Sequence, residues 1–450
     1  MPPKNVSQQK TCSHQSLTYS PSPYASQINY TQPSLKDCQS ATKPSLPNIP
    51  APATRTDNEN FPAPLVLPGD DLALDPEYPP QSFQEWYDEE ERNAVTAKRK
   101  TVYIIGPPGI DKSVKEIESW TIPNVSSPRA EENPAKPAME AITPYLSAFF
   151  HGLPVKELKP AASKWKFVPW TESGSKSRKS KKAKESYIAL STPTDEEIRI
   201  RARPCPASDG LYTHQLNLDD LLDVAIAILP SDAYALCMLT HYDLYEDDDD
   251  LFVCGRAYGG SRVAVVSTAR YNPLLDEALG VEGAHAWPGA HCAEYVEGVC
   301  RENDDGPKTK RARTRTPKPK VPEKRNGPLE AAIAAFNHRE EGQDNGRNTL
   351  SSLWLYRTLR TVSHELCHCF GLDHCVYYAC IMQGSASLPE DARQPPYLCP
   401  VDLAKVLAAT GSSAAERDRA LLVYCEQKGV KGDRHFGGFA AWLGASLRLS

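Results

Sequence analysis

Apolar and polar positions along the 450-residue chain fall into distinct blocks. Residues 1–80 carry Pro, Ser, Gln, Thr and Asn with no apolar period. Such a stretch cannot bury enough surface to offset chain entropy, which predicts a disordered N-terminal tail. Order is expected to begin near Gln81–Trp86 (QSFQEW). The β-branched and aromatic run Thr101–Gly106 (TVYIIG), stopped by Pro107-Pro108-Gly109, predicts a first strand. A helix is expected over Lys136–Gly152, burying Leu146, Phe149 and Phe150, and a second strand between Val155 and Trp170. The continuous apolar run Leu222–Leu229 (LDVAIAIL) predicts a fully buried strand. Leu251–Ala257 and Arg262–Ser267 flank Tyr258-Gly259-Gly260-Ser261 and read as a hairpin closed by a Gly-Gly turn. In Thr349–Phe370, Leu359, Val362, Leu366 and Phe370 recur at three- and four-residue steps, so one stripe of a long helix faces a core until Gly371 stops it. A last helical region starts near Pro400 and runs through Ala414–Glu426, followed by a C-terminal tail at 431–450. The element order implies one α/β domain over 81–430, with a mixed twisted sheet and an antiparallel edge strand.

Composition narrows the function classes. The net charge of −6 speaks against a chain that binds nucleic acid over its whole surface. Two basic low-complexity insertions stand out, at about 172–186 and 303–346, the Lys and Arg concentrated in Lys176–Lys184 and Lys308–Arg325. No aromatic residue interleaves with either run, so stacking on bases is not indicated, and solvated loops or nuclear-import signals are the expectation. The acidic run Glu246–Asp250 lacks the spacing of a calcium loop. No apolar run reaches the ~18 residues that a membrane span needs, and the N-terminus lacks a signal-like apolar stretch. The expected location is therefore cytoplasmic or nuclear, not secreted. The 13 cysteines are then free or metal-bound rather than paired, and a monomer is expected.

The chemistry concentrates in His364-Glu-Leu-Cys-His368-Cys-Phe-Gly371-Leu-Asp-His374. His364 and His368 are one helical turn apart, on one face, where both imidazoles can grip one ion. Glu365 lies about 100° round the helix, able to reach a water on that ion without ligating it. Gly371 lets the chain turn back so that His374 supplies a third ligand. Three neutral imidazoles leave Zn²⁺ an open position for a water whose pKa falls to about 7, and Glu365 is the expected general base. By residue frequencies, a chance match to this extended pattern has a probability on the order of 10⁻⁵.

Directly after it come Cys375, Cys380 and Met382, then Cys399-Pro400-Val401-Asp402. Together these segments resemble the archaemetzincins of the metzincin clan: the extended His motif, C-x4-C-x-M, a gap, and C-x2-C. The resemblance is strong over Leu353–Leu407 and looser over Gln81–Pro273, and leaves out the tail and the basic insertions. It implies a metzincin-like fold, with Met382 as the Met-turn residue flooring the catalytic zinc. It also implies a structural second zinc on Cys375, Cys380 and Cys399. Asp402 stands where the family has a fourth Cys. A carboxylate keeps the charge and is an allowed zinc ligand, but an acid in the first turn of a helix also suits the helix dipole. Cys367 and Cys369 are expected to be inert buried thiols. The resemblance further implies peptide substrates, with aminopeptidase-like cleavage at small neutral residues, and a substrate strand pairing with Leu251–Ala257. The rival reading is a zinc-stabilised binding protein that hydrolyses nothing.

Overall fold

The computed structural model describes residues 14, 16–44, 60–125, 133–170, 186–302, 327–338, 346–427 and 433–449. Its strands are β1 (Thr101–Ile105), β2 (Gly109–Ile110), β3 (Val155–Leu158), β4 (Lys166–Pro169), β5 (Ser186–Ser191), β6 (Glu197–Pro204), β7 (His214–Asn217), β8 (Ala233–Thr240), β9 (Asp243–Tyr245), β10 (Gly255–Tyr258) and β11 (Val263–Ser267). They form two mixed sheets, ordered β10-β11-β8-β1-β3 and β2-β4-β5-β6-β7-β9. In the first sheet β3, β1, β8 and β11 run parallel, and β10 closes one edge antiparallel to β11. The expected antiparallel edge is therefore present, shortened to Gly255–Tyr258.

The period of two along β8 splits the molecule into two cores. Ala235, Cys237 and Leu239 face the core that holds Leu359, Val362 and Leu366 of the long helix Gly346–Cys369. Leu236 and Met238 face the other core, shared with the second sheet. The turn between β10 and β11 also positions the long helix. A Cβ on Gly259 would stand 2.7 Å from the His368 carbonyl oxygen, so only glycine lets the turn pack that close.

Several expectations are corrected. Leu222–Leu229 is not a strand: Leu218–Ala227 is a helix, capped by Asn217 accepting from the Asp220 N–H. Leu218, Leu221, Leu222 and Ala225 share its buried side while Ile226 is exposed, a helical period that the unbroken apolar run concealed. The fully buried strand is β8 instead. The region between Val155 and Trp170 holds two strands, β3 and β4, one in each sheet. Residues 16–44 and 60–80 are not a free tail. Ala379 N–H donates to the Pro62 carbonyl, Ala63 N–H to the Tyr19 carbonyl, and the Phe61 ring packs against Tyr378, Tyr397 and Trp442. These apolar residues are used singly, each in a pocket made by the domain, so they leave no period to read. The second insertion is interrupted by the helix Pro328–Asn337, which buries Leu329, Ala332, Ile333 and Phe336. The expected C-terminal tail is the helix Arg434–Leu449, with Trp442 stacked 4.1 Å from Tyr397. Lys176–Lys184 and Lys308–Arg325 lie outside the described residues. Among the described residues no helix is long and apolar enough to cross a membrane.

Candidate active site

The long helix carries His364 to the wall of a cleft of ≈ 380 Å³, between β10 on one side and the segment following Met382 on the other, with His368 one turn further along the helix. Gly371, at φ +80°, ends the helix in the left-handed region that glycine tolerates, and the chain doubles back to bring in His374. The three ring centroids lie 4.7, 5.1 and 5.4 Å apart. Each imidazole offers one nitrogen, all within 4.8 Å of one another.

Backbone carbonyls orient two of the rings. His364 Nδ1 donates to the Ile381 carbonyl at 2.7 Å and His368 Nδ1 to the Leu372 carbonyl at 2.6 Å. This fixes the tautomer and turns both Nε2 lone pairs inward, 3.0 Å apart. Tetrahedral zinc with bonds of ~2.0–2.1 Å would hold such nitrogens about 3.3 Å apart, so the donor set fits that ion. Burial and mutual repulsion hold His364 and His368 neutral, the latter down to about 4, and burial also lowers His374. The neutral form is the one that ligates. The Tyr78 ring covers His374 at 5.9 Å.

Glu365 is 8% exposed and lines the same cleft. Burial pushes its carboxyl up to about 8, opposed by the charge of Arg256 on β10. Cys367 and Cys369 are buried in the core, and neither joins a metal-like group. Met382 is fully buried, and its carbonyl accepts from the Cys375 N–H at 2.8 Å.

That bond joins the His motif to a second cluster. Cys375, Cys380, Cys399 and Asp402 are all buried, their ligand atoms within 4.8 Å of one another. Cys375 Sγ lies 3.5 Å from Cys399 Sγ, and Asp402 Oδ2 lies 3.3 Å from Cys380 Sγ and 3.4 Å from Cys399 Sγ. Zinc–sulfur bonds of ~2.3 Å imply tetrahedral S···S spacings of about 3.8 Å, near what is seen. Burial raises the thiols of Cys380 and Cys399, and burial together with the Cys375 charge lifts Asp402 to about 7. Four acids packed this closely resist ionising together, and a dication removes that conflict. Asp402 thus supplies the fourth donor atom of this group, and its other oxygen lies 3.0 Å from Lys405 Nζ.

Residues 343–406 match Peptidase family M54. The chain is 25% identical to Archaemetzincin-2 of Macaca fascicularis over 418 residues, covering 89% of this chain and 88% of that one. It is 29% identical to human Archaemetzincin-1 over 51% of this chain and 37% of that one. The chain is thus similar to the archaemetzincins along most of its length. It is accordingly a zinc metallopeptidase. Among solved structures, archaemetzincin from Methanopyrus kandleri aligns at 16% identity and a TM-score of 0.29, over 69% of this chain and 96% of that one.

Sequence reasoning missed the groups that surround the three imidazoles. The Ile381 and Leu372 carbonyls carry no side-chain signal, and Tyr78 lies in a stretch that reads as tail. Gln81 and Lys405 reach the site only through the fold.

Proposed function

We propose that His364, His368 and His374 hold the catalytic zinc, that Glu365 is the general base, and that the reaction is peptide-bond hydrolysis. When bound, zinc acidifies a water and polarises the substrate carbonyl. Glu365 takes the proton of the attacking water at its carboxylate and returns it to the leaving amine. Its buried setting supports that role, because a desolvated carboxylate is a stronger base. Met382 forms the apolar floor, and Cys375, Cys380, Cys399 and Asp402 hold a structural zinc.

An extended substrate pairs with β10. The bond from Ser267 N–H to the Cys254 carbonyl sets the ladder so that Gly255 and Ala257 turn their N–H groups outward, and Gly255 lines the cleft. Backbone pairing of this kind reads the peptide chain more than its side chains. Aminopeptidase-like action on small neutral residues rests on the family resemblance. The acids lining the cleft are Glu365 and Asp391, and Asp391 is already paired with buried Arg360 at 2.8 Å.

The observation that carries the proposal is the convergence of three imidazoles, two of them oriented by backbone carbonyls, beside a buried glutamate that lines the cleft. The deciding experiment compares wild type with Glu365→Gln on free-amine and amine-blocked peptides. Wild type should cleave, and the variant should lose ~10²–10⁴-fold in kcat while keeping its zinc. Equal inactivity of both on every peptide, with zinc present, would favour the non-catalytic binding protein. Cleavage of blocked peptides as fast as free ones would remove the aminopeptidase reading alone.

A further inference from the structure

Lys405 is 1% exposed, an unusual place for an ammonium group. Its Nζ donates to Asp402 Oδ1 at 3.0 Å, to the Gln81 carbonyl at 2.7 Å and to Gln81 Oε1 at 2.9 Å. The Gln81 side chain then grips the turn that carries His374. Its Nε2 donates to the Gly371 carbonyl at 3.0 Å, and its Oε1 accepts from the Asp373 N–H at 3.1 Å. Gln81 is itself held firmly. It directly precedes Ser82, the N-cap of a helix, Phe83–Asp88, whose N-terminus is closed by a reciprocal Ser82–Glu85 capping box. Trp86 of that helix donates through Nε1 to the Phe370 carbonyl at 2.8 Å.

We propose that Gln81 is a positioning residue for His374, and that Asp402, Lys405 and Gln81 form a bracket coupling the cysteine centre to the histidine centre. The inference rests on the reading of His364, His368 and His374 as zinc ligands. Asp402 divides its carboxylate between the two jobs: Oδ2 faces Cys380 and Cys399, and Oδ1 holds Lys405. A cysteine in that place has one sulfur and no second oxygen to hold a buried ammonium. In this chain Asp402 therefore serves both the cysteine group and the buried lysine. Through it, the charge at the cysteine centre fixes Lys405, Lys405 fixes the Gln81 amide, and the amide fixes both ends of Gly371–Asp373.

The test follows metal release from the full chain during stepwise competition with a chelator. Cobalt in place of zinc tells the centres apart, since only the cysteine centre shows thiolate-to-metal charge-transfer absorption. Gln81→Met keeps the volume and removes both side-chain bonds to the turn. It should loosen the histidine centre by ~10-fold or more, as loss of ligand-orienting partners does elsewhere. Lys405→Met, which touches none of the three histidines, should loosen the same centre. The double variant should be little worse than the more damaged single one. Unchanged affinity of the histidine centre in folded Gln81→Met overturns the positioning role, and additive losses in the double variant overturn the coupling. If Gln81→Met does not fold, Gln81→Glu keeps the acceptor for Asp373 and Lys405 while losing the donor to Gly371. Wild-type affinity in that variant overturns the proposal equally. A merely structural role would lower the stability of the metal-free chain and leave the histidine-centre affinity alone. Failure of the underlying zinc reading looks different: His374→Ala would then lose no metal relative to wild type.

Discussion

At Cys380 the thiol faces Asp402 Oδ2 at 3.3 Å and receives the Cys399 N–H at 3.2 Å, in a spot without solvent. A serine there keeps the shape but offers a hard, mostly protonated oxygen in place of a thiolate. Cys380→Ser should therefore leave one of the two metal groups filled, and metal analysis should show zinc content falling from two per chain to one. Retention of both would mean that the second ion sits elsewhere. Wild type carrying a single zinc would mean that Asp402 does not complete the tetrahedron. The two groupings were legible at the residue scale because HExxH spacing and Cys spacing are local. The division of Asp402 between sulfur and Lys405 was not, because Lys405 reaches Gln81 across 324 positions of sequence.

The element proposed to read substrate is β10, a four-residue strand that pairs only with β11 among the described strands. Ala257→Pro removes an outward N–H and leaves the inward ladder to β11 intact, a substitution that edge strands accept. It should raise KM for extended peptides several-fold, roughly as loss of one hydrogen bond of ~1 kcal/mol predicts, with kcat little changed. An unchanged KM for every extended peptide would show that substrate does not pair with this edge. The strand's existence was legible from alternation and the Gly-Gly turn. Its length was not, because Leu251–Val253 satisfies the same apolar pattern while Val253 bridges to Leu244 instead. The Leu218–Ala227 helix shows the opposite failure. An apolar run in a two-sided core looks alike as helix or strand, and only the Asn217 cap, read with the spacing of Leu218, Leu221, Leu222 and Ala225, separates them.

On the scale of the whole molecule, the N-terminal segment is fastened at His291. Its Nε2 bonds to the Ala63 carbonyl at 3.1 Å, and its own carbonyl accepts from the Thr18 N–H at 2.9 Å. Burial lowers this imidazole from 6.5 to about 4. A depressed histidine pKa contributes stability that is whole above about 6.5 and is lost as pH falls toward 4. Acidification across that window should reduce unfolding free energy by on the order of 3 kcal/mol through this group. Chemical denaturation at pH 7 and pH 4.5 should show a smaller acid loss in His291→Asn than in wild type. Equal losses would assign the acid sensitivity to other groups.

By itself, the sequence determined the spacing of the candidate metal ligands, the long helix and the hairpin, because each depends on positions within a few helical turns or one strand pair. Tertiary structure alone decided what the ends of the chain do and how the two centres are joined. Phe61, Trp442 and Lys405 are each buried by partners far away in sequence, and a contact of that kind leaves no period, cap or motif along the chain to announce it.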